Sequence, residues 1–110
     1  ATVNAFCVNG AVTTSNQDIV AVTAEYVYKI NSLIIANIDG TNAASIDVWI
    51  TRSSADYYLA KTISVPADAT LVVIDKNMGL YLMESDILKI QASSAGDLSA
   101  VLSYEEIDDA

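Results

Sequence analysis

Chemistry in a protein starts from side chains that carry a proton, a nucleophile or a metal, and this sequence is thin in all three. It contains no histidine, so the commonest general base and the commonest metal ligand are both missing. Serine and threonine are plentiful, but a hydroxyl attacks only beside a positioned base. The bases on offer are Lys29, Lys61, Lys76 and Lys89, and none sits in a recognisable serine–lysine motif. They read as solvated lysines or cross-strand charge partners. Two carboxylate pairs, Glu84 with Asp86 and Asp39 with Asp47, could stand close together. Such pairs hydrolyse glycosides when a cleft holds them at a fixed separation; a domain this small rarely builds one. Calcium would suit the hard oxygens of Asp39-Gly40-Thr41-Asn42 and of Glu105-Glu106-Ile107-Asp108-Asp109, yet neither has EF-hand spacing. The expectation is a protein without catalytic, cofactor-binding or metal-binding residues, not an enzyme, and needing no cofactor.

What remains is residues that stick. Trp49 alternates with Ile46, Val48 and Ile50, which places it on the strand face opposite the core. It is either a shielded surface aromatic or an interface anchor, a role in which tryptophan and tyrosine are over-represented. Tyr57 and Tyr58 are adjacent and must point to opposite faces, so one of them is expected to be exposed. Val3 and Phe6, on an N-terminal strand, complete the candidate protein-interface set of Trp49, Tyr57, Tyr58, Val3 and Phe6. Tyr26, Tyr28, Tyr81 and Tyr104 suit a core. Cys7 lies in the apolar run Ala5-Phe6-Cys7-Val8 and reads as a buried structural thiol.

These residues need strands to hold them. Val, Ile, Thr and Tyr are abundant and no helix-period stripe is present. Strands are predicted over Thr2–Val8, Ile19–Thr23, Glu25–Asp39, Ser45–Arg52, Tyr57–Val65, Thr70–Asp75, Leu80–Met83, Ile87–Ser93 and Leu98–Ile107. Asn9-Gly10 is a strong turn dipeptide, and Asp39-Gly40-Thr41-Asn42 another turn. In the long third strand the even positions Tyr26, Tyr28, Ile30, Ser32, Ile34, Ala36 and Ile38 form the expected buried face. Leu33 and Ile35 stand on the other face and predict a bend or a second contact beyond Asn31. Eight or nine short strands separated by polar turns read as an all-β, antiparallel β-sandwich, jelly-roll or immunoglobulin-like. One domain over residues 1–110 is the simplest organisation, with a short acidic C-terminal end at 105–110 read as a solvated tail.

Composition narrows the partners. Fourteen acidic residues against five basic ones give a formal charge of −9, the wrong sign for a nucleic-acid binder. No apolar run reaches the ~20 residues of a membrane-spanning helix. No signal peptide is visible, and the lone Cys7 favours assembly in a reducing cytoplasm. Apolar residues make up 53% and charged residues 17%, which excludes intrinsic disorder.

The order of features supports a finer reading. The stretch Leu33-Ile34-Ile35-Ala36-Asn37-Ile38-Asp39-Gly40 precedes the strand Ala44-Ser45-Ile46-Asp47-Val48-Trp49-Ile50. Tyr58 to Lys61, the turn Val65 to Asp68, and Gly79-Leu80-Tyr81-Leu82-Met83-Glu84-Ser85-Asp86-Ile87-Leu88-Lys89-Ile90-Gln91-Ala92-Ser93 follow. This pattern, from Tyr28 to Ile107, resembles the small β-sandwich virion proteins of tailed bacteriophages. It is a pattern of strands and turns without a catalytic signature. The strong acidity and Trp49 depart from it. The resemblance implies a non-enzymatic virion structural protein, first of all a capsid decoration or cement protein that stabilises the phage head by protein–protein contacts. Its partners would be the major capsid protein or other virion proteins, and further copies of itself in a homo-oligomer; nucleic acid and membrane are not expected. Its location would be the virion, assembled in the host cytoplasm. The alternative is a tail, baseplate or fibre-associated domain that binds a host glycan or receptor. A secreted subunit of a surface layer or pilus is a third reading.

Overall fold

The computed structural model of the chain describes residues 2–108. Nine strands follow one another: β1 (Val3–Ala11), β2 (Gln17–Ala21), β3 (Tyr26–Asn37), β4 (Ala44–Arg52), β5 (Ala55–Val65), β6 (Thr70–Ile74), β7 (Leu80–Leu82), β8 (Ile87–Ala92) and β9 (Leu98–Asp108). They form two antiparallel sheets, β1-β9-β3-β6 with β7 also on β3, and β2-β8-β4-β5. Between β6 and β7 lies one 3₁₀ turn, Lys76–Met78, whose first N–H groups are capped by Asp75 and which ends at left-handed Gly79. No helix among the described residues is long and apolar enough to cross a membrane.

The pairing is nested. Arg52 opposes Ala55 across the Ser53-Ser54 turn, Ala44 opposes Val65, Gln17 opposes Ile90, and Val3 opposes Ile107. The chain is therefore one long antiparallel hairpin, folded over so that its successive segments alternate between two sheets. β6 and β7 together occupy one strand position against β3, at Leu33–Ala36 and Tyr28–Ile30. Eight strand positions in this order make a jelly roll rather than an immunoglobulin-like sandwich. At the apex, Ser53 and Ser54 both have positive φ, 53° and 65°, the backbone of a type I′ turn.

The core lies between the sheets and is built from Ile30, Leu33, Ile35, Ile46, Ile74, Leu82, Leu88, Ile90, Leu98 and Leu102, with Val12 and Val48. The chain's accessible surface is 5845 Å², close to the roughly 5,900 Å² expected for a globular chain of this size. In β3 the register against β9 shifts between Ile30 and Ser32, which leaves Asn31 as an extra residue. Tyr28 and Ile30 are buried before this bulge, Leu33, Ile35 and Asn37 after it. The break in alternation that Leu33 and Ile35 signalled is this register shift at Asn31. The even face is therefore buried only as far as Ile30, and Ile38 at the strand's end is 66% exposed.

Three expectations are corrected. Asn9-Gly10 does not turn the chain: both residues lie inside β1, opposite Val101 and Ala100. Pairing with a strand at the far end of the sequence outweighs a local turn preference. Cys7 is exposed, because β1 is an edge strand and odd-numbered residues of β1 face outward. Glu105 and Glu106 belong to β9 and are half-buried between β1 and β3, so they are not a solvated tail. Residues 109 and 110 of that acidic end lie outside the described residues.

One polar clasp closes an end of the sandwich. Asp86, 2% exposed, accepts from Arg52 Nε at 2.8 Å and from Arg52 Nη2 at 2.5 Å. It also accepts from the Met83 N–H at 2.7 Å, and its carbonyl accepts from the Val22 N–H at 2.9 Å. The end of β4 is thereby tied to the β7–β8 loop and to the chain leaving β2.

Candidate protein–protein interface

The carboxylates whose types suit chemistry are engaged in holding loops and strands. Glu84 Oε2 accepts from the Glu25 N–H at 2.7 Å, and Asp86 is clasped by Arg52, so the two carboxylates do not converge. Asp39 accepts from the N–H groups of Thr41 and Asn42, which hold its carboxyl below the usual range. Asp47 is elsewhere, accepting from the Thr62 N–H at 2.6 Å and facing Lys61 Nζ at 3.6 Å. Asp39 instead neighbours Asp97, whose carboxyl is pushed up by burial and by the Asp39 charge. A shallow polar pocket of about 150 Å³ is lined by Ser45, Asp47, Thr62, Gln91 and Ser93. Ser93 Oγ there accepts from the Ser45 N–H at 2.8 Å. Among the described residues no group of three or more acidic or cysteine side chains is arranged to hold a metal.

The candidate contact residues fall into two patches, which the fold does not bring together. β1 and β2 are the edges on one flank, where a small cleft runs between Val8–Gly10 and Gln17–Ile19. β5 and β6 are the edges on the other. Val3 and Phe6 belong to the first flank and are 54% and 44% exposed. Phe6 begins a ladder of rings across the inner face: it stacks on Tyr104 at 5.6 Å, Tyr104 on Tyr28 at 5.0 Å, and Tyr28 meets Tyr26 edge-on at 6.5 Å. Tyr28 and Tyr104 are core residues, as their pattern suggested, whereas Tyr81 is 48% exposed. Asp108 and Glu106 lie near this ladder and push the Tyr26 hydroxyl above its ordinary range.

Trp49, Tyr57 and Tyr58 belong to the second flank. Trp49 lies outside the inter-sheet core, on the face the alternation assigned to it, but it is only 3% exposed. Tyr58, its cross-strand partner on β5, covers it at 5.4 Å, and Lys61 Nζ stands 4.7 Å from the Tyr58 ring. Trp49 is thus not an accessible anchor in the free chain; a large aromatic on a solvent face is shielded by its own neighbours. Both tyrosines are exposed, Tyr57 at 59% and Tyr58 at 46%. At least one exposed tyrosine was the expectation; both are, because β5 is an edge strand and neither of its faces is fully covered.

Sequence reasoning missed the rest of this flank. Leu59 and Ile63 on β5 are each 41% exposed and Met78 is 62% exposed. Leu59 and Met78, with Val73, Ile74 and Leu80, line an apolar cleft of about 130 Å³ between the open edges of the two sheets. A signal was available: Tyr57, Tyr58, Leu59 and Ile63 crowd apolar side chains onto one strand. What hid them is that an inward-facing residue is normally a covered one.

The likeness to known proteins is one of fold. No family model matches the chain, and no curated protein matches it. A chain from Bacillus endospore appendages, described as a novel family of disulfide-linked pili, matches over 99% of this chain and 88% of its own, with a TM-score of 0.59 and 14% identity. A chain of the acidic stable capsid structure of Helicobacter pylori bacteriophage KHP30 matches over 100% of this chain and 90% of its own, with a TM-score of 0.55 and 6% identity. Both matched chains are therefore close to this one in length. In overall fold the chain is thus similar to a pilus chain and to a chain of a phage capsid structure.

Proposed function

We propose that this chain is a non-enzymatic structural subunit of a virion, and specifically a decoration or cement protein of a phage head. The observation that carries the reading is the fold match, at nearly equal length, to a chain of a phage capsid structure. Two further features support it. Asp39, Asp75 and Glu84 hold loops and Asp86 is clasped by Arg52, while apolar side chains stand open on both flanks. The mechanism is burial of the Tyr57, Tyr58, Leu59 and Met78 flank against capsid subunits, with the acidic surface steering the chain to a basic patch. A standard interface of about 1,600 Å² per contact, multiplied over many copies, suffices.

Quantitative peptide mass spectrometry of purified particles tests this. Copies near-stoichiometric with the major capsid protein are expected. A few to a few dozen copies would move the chain to the tail, baseplate or fibre, and would revive a glycan- or receptor-binding role. Absence from particles would sink the virion reading. The match to the endospore-appendage chain favours one second reading, a subunit of an extracellular appendage. Recovery of the chain from sheared surface filaments rather than from particles would establish it.

A further inference from the structure

We propose that this chain forms a two-fold homodimer by antiparallel pairing of β1 with β1 of a second copy, joining two β1-β9-β3-β6 sheets into one. The proposal does not depend on where the protein works. It starts from what each edge strand does to discourage pairing. Exposed edges are ordinarily blunted by short length, charge, proline or a bulge. β2 and β6 have five residues each, and both contain or face a register shift. β5 is long, but its register against β4 is broken twice. It also carries Asp56 and Lys61, and Thr62 has a φ of 52°. β1 has none of these defences. It runs nine residues, Val-Asn-Ala-Phe-Cys-Val-Asn-Gly-Ala, without a charge or proline, in unbroken register with β9.

Its free groups can be assigned. The Asp108 N–H bonds to the Thr2 carbonyl and the Val12 N–H to the Leu98 carbonyl, so the even-numbered residues are the hydrogen-bonded partners of β9. By the alternation of antiparallel ladders, the N–H and C=O groups of Val3, Ala5, Cys7, Asn9 and Ala11 point away from the sheet. The Ala11 carbonyl is taken by Gln17 Nε2 at 3.2 Å. No other bond to these outward groups is present among the described residues. An uncharged row of this kind is a template for another strand.

Charge sets the sense in which a second copy pairs. On β9, Glu105 and Glu106 stand beside Ala5 and Asn4, at the N-terminal end of β1. Beside the other end stand Ser99, Ala100 and Val101, and Asp18 across the small cleft there is ion-paired with Lys89. Parallel pairing of two copies would bring acidic end against acidic end in a chain of charge −9. Antiparallel pairing instead sets the Glu105–Glu106 end of each copy against the end where Ser99, Ala100 and Val101 flank the partner's β1. The fullest overlap centres on Cys7, with Ala5 beside Asn9 and Val3 beside Ala11. The two Cys7 Cα atoms would then be about 5.5 Å apart, as in a hydrogen-bonded antiparallel pair.

Sedimentation of the purified full chain over a range of concentrations reads the mass, and a short bis-maleimide reads Cys7 proximity. Expected are a doubled mass and a rapid Cys7–Cys7 cross-link. Ala5→Pro removes only an outward N–H, which an edge strand tolerates, and Cys7→Glu places like charges across the axis. Each should raise the dimer dissociation constant by more than about tenfold and leave the circular dichroism unchanged. A wild-type chain that stays monomeric overturns the proposal. So does a dimer that survives both substitutions while they remain folded, or one whose Cys7 resists cross-linking. Particle copy number moves independently, so either proposal can fail alone.

Discussion

At the scale of residues, the most consequential polar group is Asp86. Burial alone would push its carboxyl up, but the Arg52 hydrogen bonds, the Met83 N–H and the Arg52 charge outweigh this and hold it below its ordinary range. A carboxyl held low in the fold stabilises above its unfolded value and loses that contribution as it becomes protonated. Stability should therefore fall as pH drops below about 3.8. Arg52→Met would strand the buried carboxylate. The cost should be about 2–4 kcal/mol by urea unfolding, under the usual figure for a fully buried pair because Arg52 is partly solvated. Much of the acid sensitivity should vanish in Asp86→Asn. Trp49 gives a second residue-level test. Its cover is Tyr58, so Tyr58→Ala should shift tryptophan emission to the red and cost about 1–2 kcal/mol. Unchanged emission would mean that other neighbours shield the indole.

At the scale of elements, two local irregularities shape the long folded hairpin, one in each sheet. The Asn31 bulge lets β3 present Tyr28 and Ile30, and then Leu33 and Ile35, to the same core. Deleting Asn31 would restore strict alternation and expel one of those pairs. At about 1.5–3 kcal/mol for each large side chain, the variant should lose its cooperative thermal transition or be insoluble. The other irregularity is the apex. A type I′ turn favours Asn-Gly, and here the left-handed positions are held by Ser53 and Ser54. Ser53→Asn with Ser54→Gly should stabilise by about 1 kcal/mol, read as a higher urea midpoint with unchanged slope. The turn dipeptide that the sequence does contain, Asn9-Gly10, lies within β1. Local preference was legible there and was overruled; the bulge was legible because two residues broke the alternation.

At the scale of the molecule, nested pairing makes nearly every strand contact non-local: only β4 and β5 are joined by a tight turn, while Val3 must find Ile107. Closing such loops before contacts reward them is slow, so refolding should take milliseconds to seconds or longer. Trp49, the single tryptophan, reports it by stopped-flow fluorescence. A microsecond relaxation would contradict the topology's control of the rate. The same nesting places β1 and β5 on opposite flanks. The β5 flank is apolar and defended by bulges and charges, whereas β1 carries no charge of its own and is open along its backbone.

The sequence by itself determined the all-β class, the nine strands to within a few residues, the break in alternation around Asn31, and the outward placement of Trp49. Each of these follows from two-residue alternation and turn chemistry, which are properties of neighbouring residues. Only the tertiary structure decided that the sandwich is a jelly roll, that Trp49 lies under Tyr58, that Cys7 is exposed and that Tyr57 and Leu59 overhang an open edge. Those depend on which strand ends up beside which and which strands are left at an edge. In a nested fold the partner of a residue can lie a hundred positions away, beyond the reach of any local pattern.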